Sequence, residues 1–182
     1  MIKFSSIDNI YNEYLNALYS YAQHLGFDEN TTMDAIHDVF YKLCTNHSSL
    51  NEIKNLKSYL LRSLRNRLID IKRGNRNILT NNISEEDIPE ELPFDLYVTV
   101  EDELIMKEDA EEIKQKVESV LNRLTNRQRE VIYLRYIQEY DYEETAKIMQ
   151  ISVAACRNLI SKSLIKMKDS TIPISLILLF IN

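Results

Sequence analysis

Asp141-Tyr142-Glu143-Glu144-Thr145-Ala146-Lys147-Ile148-Met149-Gln150-Ile151-Ser152-Val153 is the stretch on which the reading of the fold turns. Asp141, followed three residues later by Glu144, has the spacing of a capping box that opens a short helix. Gln150-Ile151 supplies a turn, and Ser152 can cap a second, basic helix running to Lys168. Ala146 falls where the two helices must approach closely, so a small side chain fits. A helix-turn-helix has one common physical use, to present its second helix to the major groove of DNA. On that second helix Val153, Cys156, Ile160, Ser163, Leu164 and Met167 share one face, which makes Cys156 a core residue. Arg157, Asn158, Ser161 and Lys162 lie on the other face, beside Ala154 and Ile165. Arg, Asn and Lys there can reach base edges or phosphates.

Working outward, Thr125 with Gln128 forms another capping box, ahead of Val131, Ile132 and Tyr136. Before it, Ile113, Val117, Val120, Leu121 and Leu124 form an apolar helical stripe. The N-terminal part reads as a helical bundle. Tyr11, Leu15, Leu18, Tyr19 and Ala22 predict one helix ending near Gly26. Thr31 or Thr32 can cap a second, through Ala35, Ile36, Val39, Phe40 and Leu43, with Asp34, His37, Asp38 and Lys42 exposed. A polar loop from Asn46 to Asn51 leads to a long helix from about Asn55 to Arg73.

That long helix has two faces. At 100° per residue, Arg65, Asn66, Ile69, Lys72, Arg73 and Arg76 fall within about 80° of Arg62. Leu60, Leu61, Leu64, Leu68 and Ile71 fall opposite. From Lys54 to Arg76 there are eight basic residues and one acidic, Asp70. Like charges at i,i+4 repel unless a polyanion neutralises them, so a one-signed stripe points toward nucleic acid, with a plain solvated face as the alternative.

Charge divides the chain. Residues 1–73 carry a net +1, residues 74–112 a net −11, and residues 113–182 a net +4, within an overall −6. The acidic middle holds Pro89 and Pro93 and reads as a linker, with a helix restarting near Glu101. Only 2 Gly and 3 Pro occur in 182 residues, and no segment alternates at period two. The expected fold is therefore all-α: a helical domain over 1–78, an acidic linker over 79–112, and a helix-turn-helix domain over 113–182.

Several functions are disfavoured. There is no Gly-rich phosphate loop, Ser/His/Asp order or paired-carboxylate motif, and the three histidines leave little acid–base material. The expectation is a non-enzyme with no cofactor, no metal and no small-molecule substrate. Cys44 and His47 alone are too little for a metal site. Two lone thiols and the lack of a signal peptide fit the cytoplasm. The apolar run Ile172–Ile181 is half of the roughly 20 residues that a membrane-spanning helix needs, so no transmembrane segment is expected. It reads as a segment packing on the last domain, with a protein-docking tail or membrane contact as alternatives.

Taken in order, these parts resemble a bacterial sigma factor of the sigma-70 family, in the two-domain extracytoplasmic-function (ECF) group. Asp34-Ala35-Ile36-His37-Asp38-Val39-Phe40 is similar to region 2.2, which in the family docks on the clamp coiled coil of core RNA polymerase. Ser58 to Asp70 is similar to regions 2.3 and 2.4, which melt and hold the −10 promoter element. Leu124 to Ile132 resembles the opening of region 4, and Tyr142 to Val153 its helix-turn-helix, which reads the −35 element near the polymerase flap. The resemblance implies polymerase contacts at Asp34, His37, Asp38 and Phe40. It implies −10 contacts at Asn46, His47, Ser48, Arg62, Arg65, Asn66, Lys72 and Arg73, and −35 contacts at Arg157, Asn158, Ser161 and Lys162. It also implies an anti-sigma partner and a linker that threads through basic channels of the polymerase. The chain departs from the family pattern at His37 (usually Gln), Asn126 (Pro), Gln150 (Gly) and Leu159 (Arg), and Ile69 interrupts the basic stripe. A stand-alone helix-turn-helix regulator and a helical adaptor that binds no DNA are the competing readings.

Overall fold

The computed structural model describes residues 4–46, 53–79, 92–98, 107–170 and 172–181. The chain divides into two compact units, Met1–Leu92 and Pro93–Asn182.

The first unit packs three helices on one another: α1 (Phe4–His24), α2 (Glu29–Asn46) and α3 (Leu56–Leu79). The α1 helix ends in a Schellman arrangement at Gly26, whose φ is 76. The Gly26 amide donates to the Gln23 carbonyl at 2.9 Å and the Phe27 amide to the Ala22 carbonyl at 3.3 Å. Only a residue lacking Cβ adopts that backbone at no steric cost. The cap of α2 is Asp28, three residues earlier than the expected Thr31 or four earlier than Thr32. Its Oδ1 accepts from the Thr31 amide at 3.0 Å and its Oδ2 from the Thr31 hydroxyl at 2.7 Å. A carboxylate at the N-cap outcompetes a hydroxyl one turn inside the helix, where the amides already have partners. Asn55 caps α3, accepting the Ser58 amide at 2.9 Å. Leu18, Tyr21, Ala22, Ile36, Val39, Leu43, Leu60, Leu64 and Leu68 are all nearly fully buried and form the core.

The second unit holds α4 (Lys107–Leu121), α5 (Asn126–Ile132), α6 (Tyr142–Met149), α7 (Val153–Lys168) and α8 (Ile174–Leu179). Between α5 and α6 the helix widens into a π-helical turn, Tyr133–Ile137. Both expected capping boxes form, with Thr125 and Gln128 opening α5 and Asp141 and Glu144 opening α6. The first is tied to α7: Lys166 Nζ donates to Gln128 Oε1 at 2.9 Å and to the Arg123 carbonyl at 3.1 Å.

The second unit also reaches back into the segment that charge alone marks as linker. Helix α4 starts at Lys107, later than Glu101 but inside 79–112. Residues 93–98 lie against the unit through Phe94, which is 0% exposed and packs on Tyr133 with ring centroids 5.4 Å apart. The Phe94 amide donates to Asn126 Oδ1 at 3.3 Å, while its carbonyl and Asp95 both accept from Arg129 Nη1 at 3.3 Å. The apolar tail packs on this same unit. Ile177, Phe180 and Ile181 are buried, and Ile181 forms an isolated antiparallel bridge with Val98. Among the described residues no helix is long and apolar enough to cross a membrane, and no cluster of metal ligands occurs.

Candidate nucleic-acid and polymerase interfaces

In the second unit the turn between α6 and α7 is tight. Gln150 sits in the left-handed region at φ 54, ψ 47, and the Ile151 amide returns to the Ala146 carbonyl at 3.0 Å. Ala146 is 2% exposed at this crossing, where a larger side chain would push the helices apart. Ser152 caps α7, its hydroxyl accepting the Ala155 amide at 3.1 Å. Cys156, Ile160, Ser163 and Met167 face the core. Burial pushes the Cys156 thiol up, more than the nearby Arg135 and Arg157 cations pull it down, so it is an inert core thiol. The Ser163 hydroxyl, also buried, donates to the Leu159 carbonyl at 2.8 Å.

The opposite face of α7 presents Arg157, Asn158, Ser161 and Lys162, all exposed, one turn apart along the helix. Ile165 continues this face at 58% exposure. Two residues outside α7, Arg135 and Tyr142, gather around Arg157 in a way that motif spacing does not reveal. Arg135 of the π-helical turn lies over the Tyr142 ring at 5.1 Å, and Arg157 lies over the same ring at 5.4 Å.

In the first unit α2 presents Asp34 and His37 to solvent and Asp38 half-exposed. His37 Nε2 is 3.1 Å from the Tyr11 hydroxyl, and the two rings stack. Asp38 Oδ2 accepts from Arg67 Nε of α3 at 2.7 Å, so a candidate docking carboxylate already holds an internal partner. Phe40 is corrected from contact residue to support. It is 5% exposed and meets Tyr11 edge-on at 5.0 Å, because it falls one turn from Ile36 on the buried stripe. Tyr41, 70% exposed, shares the face of Asp34, His37 and Asp38, and its i+7 spacing from Asp34 is the signal that could have found it.

On α3, Arg62 and Arg73 are exposed, Asn66 and Lys72 are half-buried, and Arg65 is 7% exposed. Arg65 is thus corrected from the solvent stripe to its buried edge. It lies one turn from both Leu61 and Leu68, which are themselves buried. The helix continues to Leu79, past the expected end at Arg73. Asn46 ends α2 rather than opening a loop, while its side chain, His47 and Ser48 lie outside the described residues.

Two family patterns match the chain, in order along it. The pattern described as "Sigma-70 region 2" matches residues 10–78, and "Sigma-70, region 4" matches residues 114–167. Among curated proteins, the ECF RNA polymerase sigma factor SigX of Bacillus subtilis is 27% identical over 143 residues, 79% of this chain and 72% of SigX. SigM of the same organism is 24% identical over 163 residues, 90% of this chain and 93% of SigM. Among solved structures, the sigma factor RpoE in complex with the anti-sigma factor NepR from Bartonella quintana superposes with TM-score 0.59 at 20% identity. That match covers 90% of this chain and 95% of that one.

Proposed function

We propose, because this chain belongs to the sigma-70 family and within it to the ECF group, that it binds core RNA polymerase and directs transcription initiation from specific promoters. The observation that carries this reading is the pairing of a region 2 helical unit with a region 4 helix-turn-helix, in that order along one chain. It is a binding protein and performs no covalent chemistry. The α2 face of Asp34, His37, Asp38 and Tyr41 docks on the clamp coiled coil of the polymerase, with Phe40 and Tyr11 packed beneath it. Exposed Arg62 and Arg73, with Lys72 and Asn66 beside them, neutralise phosphates where the −10 element opens. The segment from Asn46 through Ser48 receives an unstacked base, which takes a few kcal/mol to extrude and must be held by compensating contacts. Arg157, Asn158, Ser161 and Lys162 read the −35 element in the major groove.

The acidic stretch between the units suits the basic channels of the polymerase. An anti-sigma partner fits the same exposed faces, a reading supported by the likeness to the sigma factor RpoE solved with the anti-sigma factor NepR. The work takes place in the cytoplasm, where the polymerase is. With a net charge of −6, the chain alone binds duplex weakly, and promoter affinity appears with the polymerase.

The test is co-elution of the full chain with bacterial core RNA polymerase on size exclusion. Asp34→Lys is the better probe than Asp38→Lys, because it leaves the Arg67–Asp38 pair intact. Co-elution of the wild type and its loss in Asp34→Lys is the expected result. Equal co-elution of both would remove the α2 face from the docking surface. A folded chain that ignores the polymerase yet binds promoter duplex tightly would replace the sigma reading with a stand-alone regulator.

A further inference from the structure

We infer that Tyr142 is a positioning residue for Arg157: its ring holds the Arg157 guanidinium in place on the face of α7 before DNA arrives. The inference rests on the reading of that face as the −35 surface and deepens it. Arg157 is exposed, and an exposed arginine otherwise samples many rotamers whose ordering weakens binding. Tyr142, by contrast, has its backbone fixed. It is the first residue of α6, directly after Asp141, whose carboxylate accepts the Glu144 amide at 2.7 Å while the Glu144 carboxylate accepts the Asp141 amide at 3.1 Å. The ring is therefore referenced to a rigid helix start.

The guanidinium of Arg157 lies 5.4 Å from the ring centroid, within the range of a cation–π contact. Arg135 approaches the same ring at 5.1 Å. Its own placement is set by the π-helical turn and by Nη1, which donates to the Tyr140 carbonyl at 3.1 Å. Its Nε is buried without a hydrogen-bond partner among the described residues. Three elements thus converge on one aromatic ring that carries two cations, and no carboxylate pairs with either among the described residues. Such an arrangement presets positive charge for an anionic ligand, here the backbone or base edge of duplex DNA.

The test uses the full chain assembled with core RNA polymerase on a promoter duplex, with Tyr142→Phe, Tyr142→Leu, Arg157→Ala and Tyr142→Leu/Arg157→Ala. Phenylalanine keeps the π-face, so Tyr142→Phe binds like the wild type. Leucine removes it, and Tyr142→Leu weakens promoter binding roughly two- to fivefold, the size of an exposed cation–π contact. In the Arg157→Ala background the same leucine change loses most of its effect and keeps only what the ring does for Arg135. Nitrogen-resolved NMR of the free chain gives a readout that does not depend on DNA or on overall stability. The Arg157 Nε–Hε signal carries a ring-current shift in the wild type and in Tyr142→Phe, and loses it in Tyr142→Leu. A leucine effect that persists undiminished without Arg157, or an Arg157 signal indifferent to leucine, overturns the positioning role alone. An Arg157→Ala variant that binds promoter as well as the wild type overturns the DNA role of Arg157 itself, and the positioning role with it.

Discussion

Replacing Phe94 by alanine tests whether residues 93–98 are a working part of the second unit. The ring is fully buried against Tyr133, and truncating such a side chain in a closed core costs about 3–5 kcal/mol. Its two backbone hydrogen bonds, both 3.3 Å long, add about 0.5 kcal/mol each. The full core penalty is not reached, because a strap at the edge of a domain can let go, and the loss is then capped at what its docking contributes. The expected destabilisation of the second unit is therefore about 2–3 kcal/mol, with the first unit unchanged. Urea unfolding gives the size, and amide exchange resolved by segment gives the place. In Phe94→Ala the amides of residues 93–98 exchange as in an open chain, and those of α5 lose protection. Asn126→Ala provides the internal control, costing about 0.5–1 kcal/mol alone and nothing once Phe94 is gone. Arg129 is a weaker control, since its Nε also holds the Leu121 carbonyl at 3.1 Å regardless of the strap. A Phe94→Ala loss below about 0.5 kcal/mol, or an Asn126→Ala effect that simply adds to it, would refute the docking argument.

Three further outcomes follow from single sites. Gln150→Gly relieves a left-handed backbone that costs a side-chain-bearing residue about 1–2 kcal/mol, against an added unfolded-state entropy of about 0.5–1 kcal/mol, so the second unit gains about 0.5 kcal/mol in a urea titration. Asp28 has its carboxyl held below the usual range, first by the Thr31 amide and then by the Thr31 hydroxyl. Its stabilisation is full above the unfolded-state value near 3.8 and is lost as pH falls through the lower folded value. Asp28→Asn keeps the cap and removes that acid-side loss in a melting series from pH 6 to about 2. Lys162→Ala flattens the salt dependence of promoter binding by the polymerase-bound chain by about 0.9 in log–log slope, and an unchanged slope would take Lys162 off the phosphate backbone.

What was legible in the sequence was local. Capping boxes join residues three apart, so Thr125–Gln128 and Asp141–Glu144 can be read without a structure, as can the Ser152 cap and the buried side of α7. The left-handed turn at Gln150 was legible as a cost, since glycine is the residue that such a turn prefers. What escaped was set by distant partners. Phe94 finds Asn126 across 32 residues, and Asp38 finds Arg67 across 29. Neither pairing has a period or motif to announce it. The tail Ile172–Ile181 read as apolar but carried no sign that Val98 would be its partner. Arg65 failed for a subtler reason. A helical wheel assigns faces by angle, but a residue at the edge of the apolar arc is buried or exposed according to the neighbouring helix, which the wheel does not contain. In the charged middle, composition outweighed one aromatic residue. A net −11 marks a solvated connection, yet Phe94 has more apolar surface to bury than adjacent Asp95 loses by staying 60% exposed.

The Arg67–Asp38 pair shows how magnitude decides between structure and function at the same atoms. A 2.7 Å ion pair looks like a lock, and a locked Asp38 would be lost to the polymerase. Its side chains are 37% and 45% exposed, however, and pairs in that environment contribute about 0–1 kcal/mol after desolvation, side-chain ordering and salt screening. A cation on a docking partner can exchange for Arg67 at that small cost, well within what an interface supplies. Arg65, one turn away and 7% exposed, is in the opposite position. Drawing it into solvent would give up that burial. On α3, therefore, Arg62 and Arg73 are the arginines exposed enough to meet a phosphate without disturbing the core. Arg67 holds Asp38 by an ion pair weak enough to be exchanged, and Arg65 lies at the buried edge of the stripe.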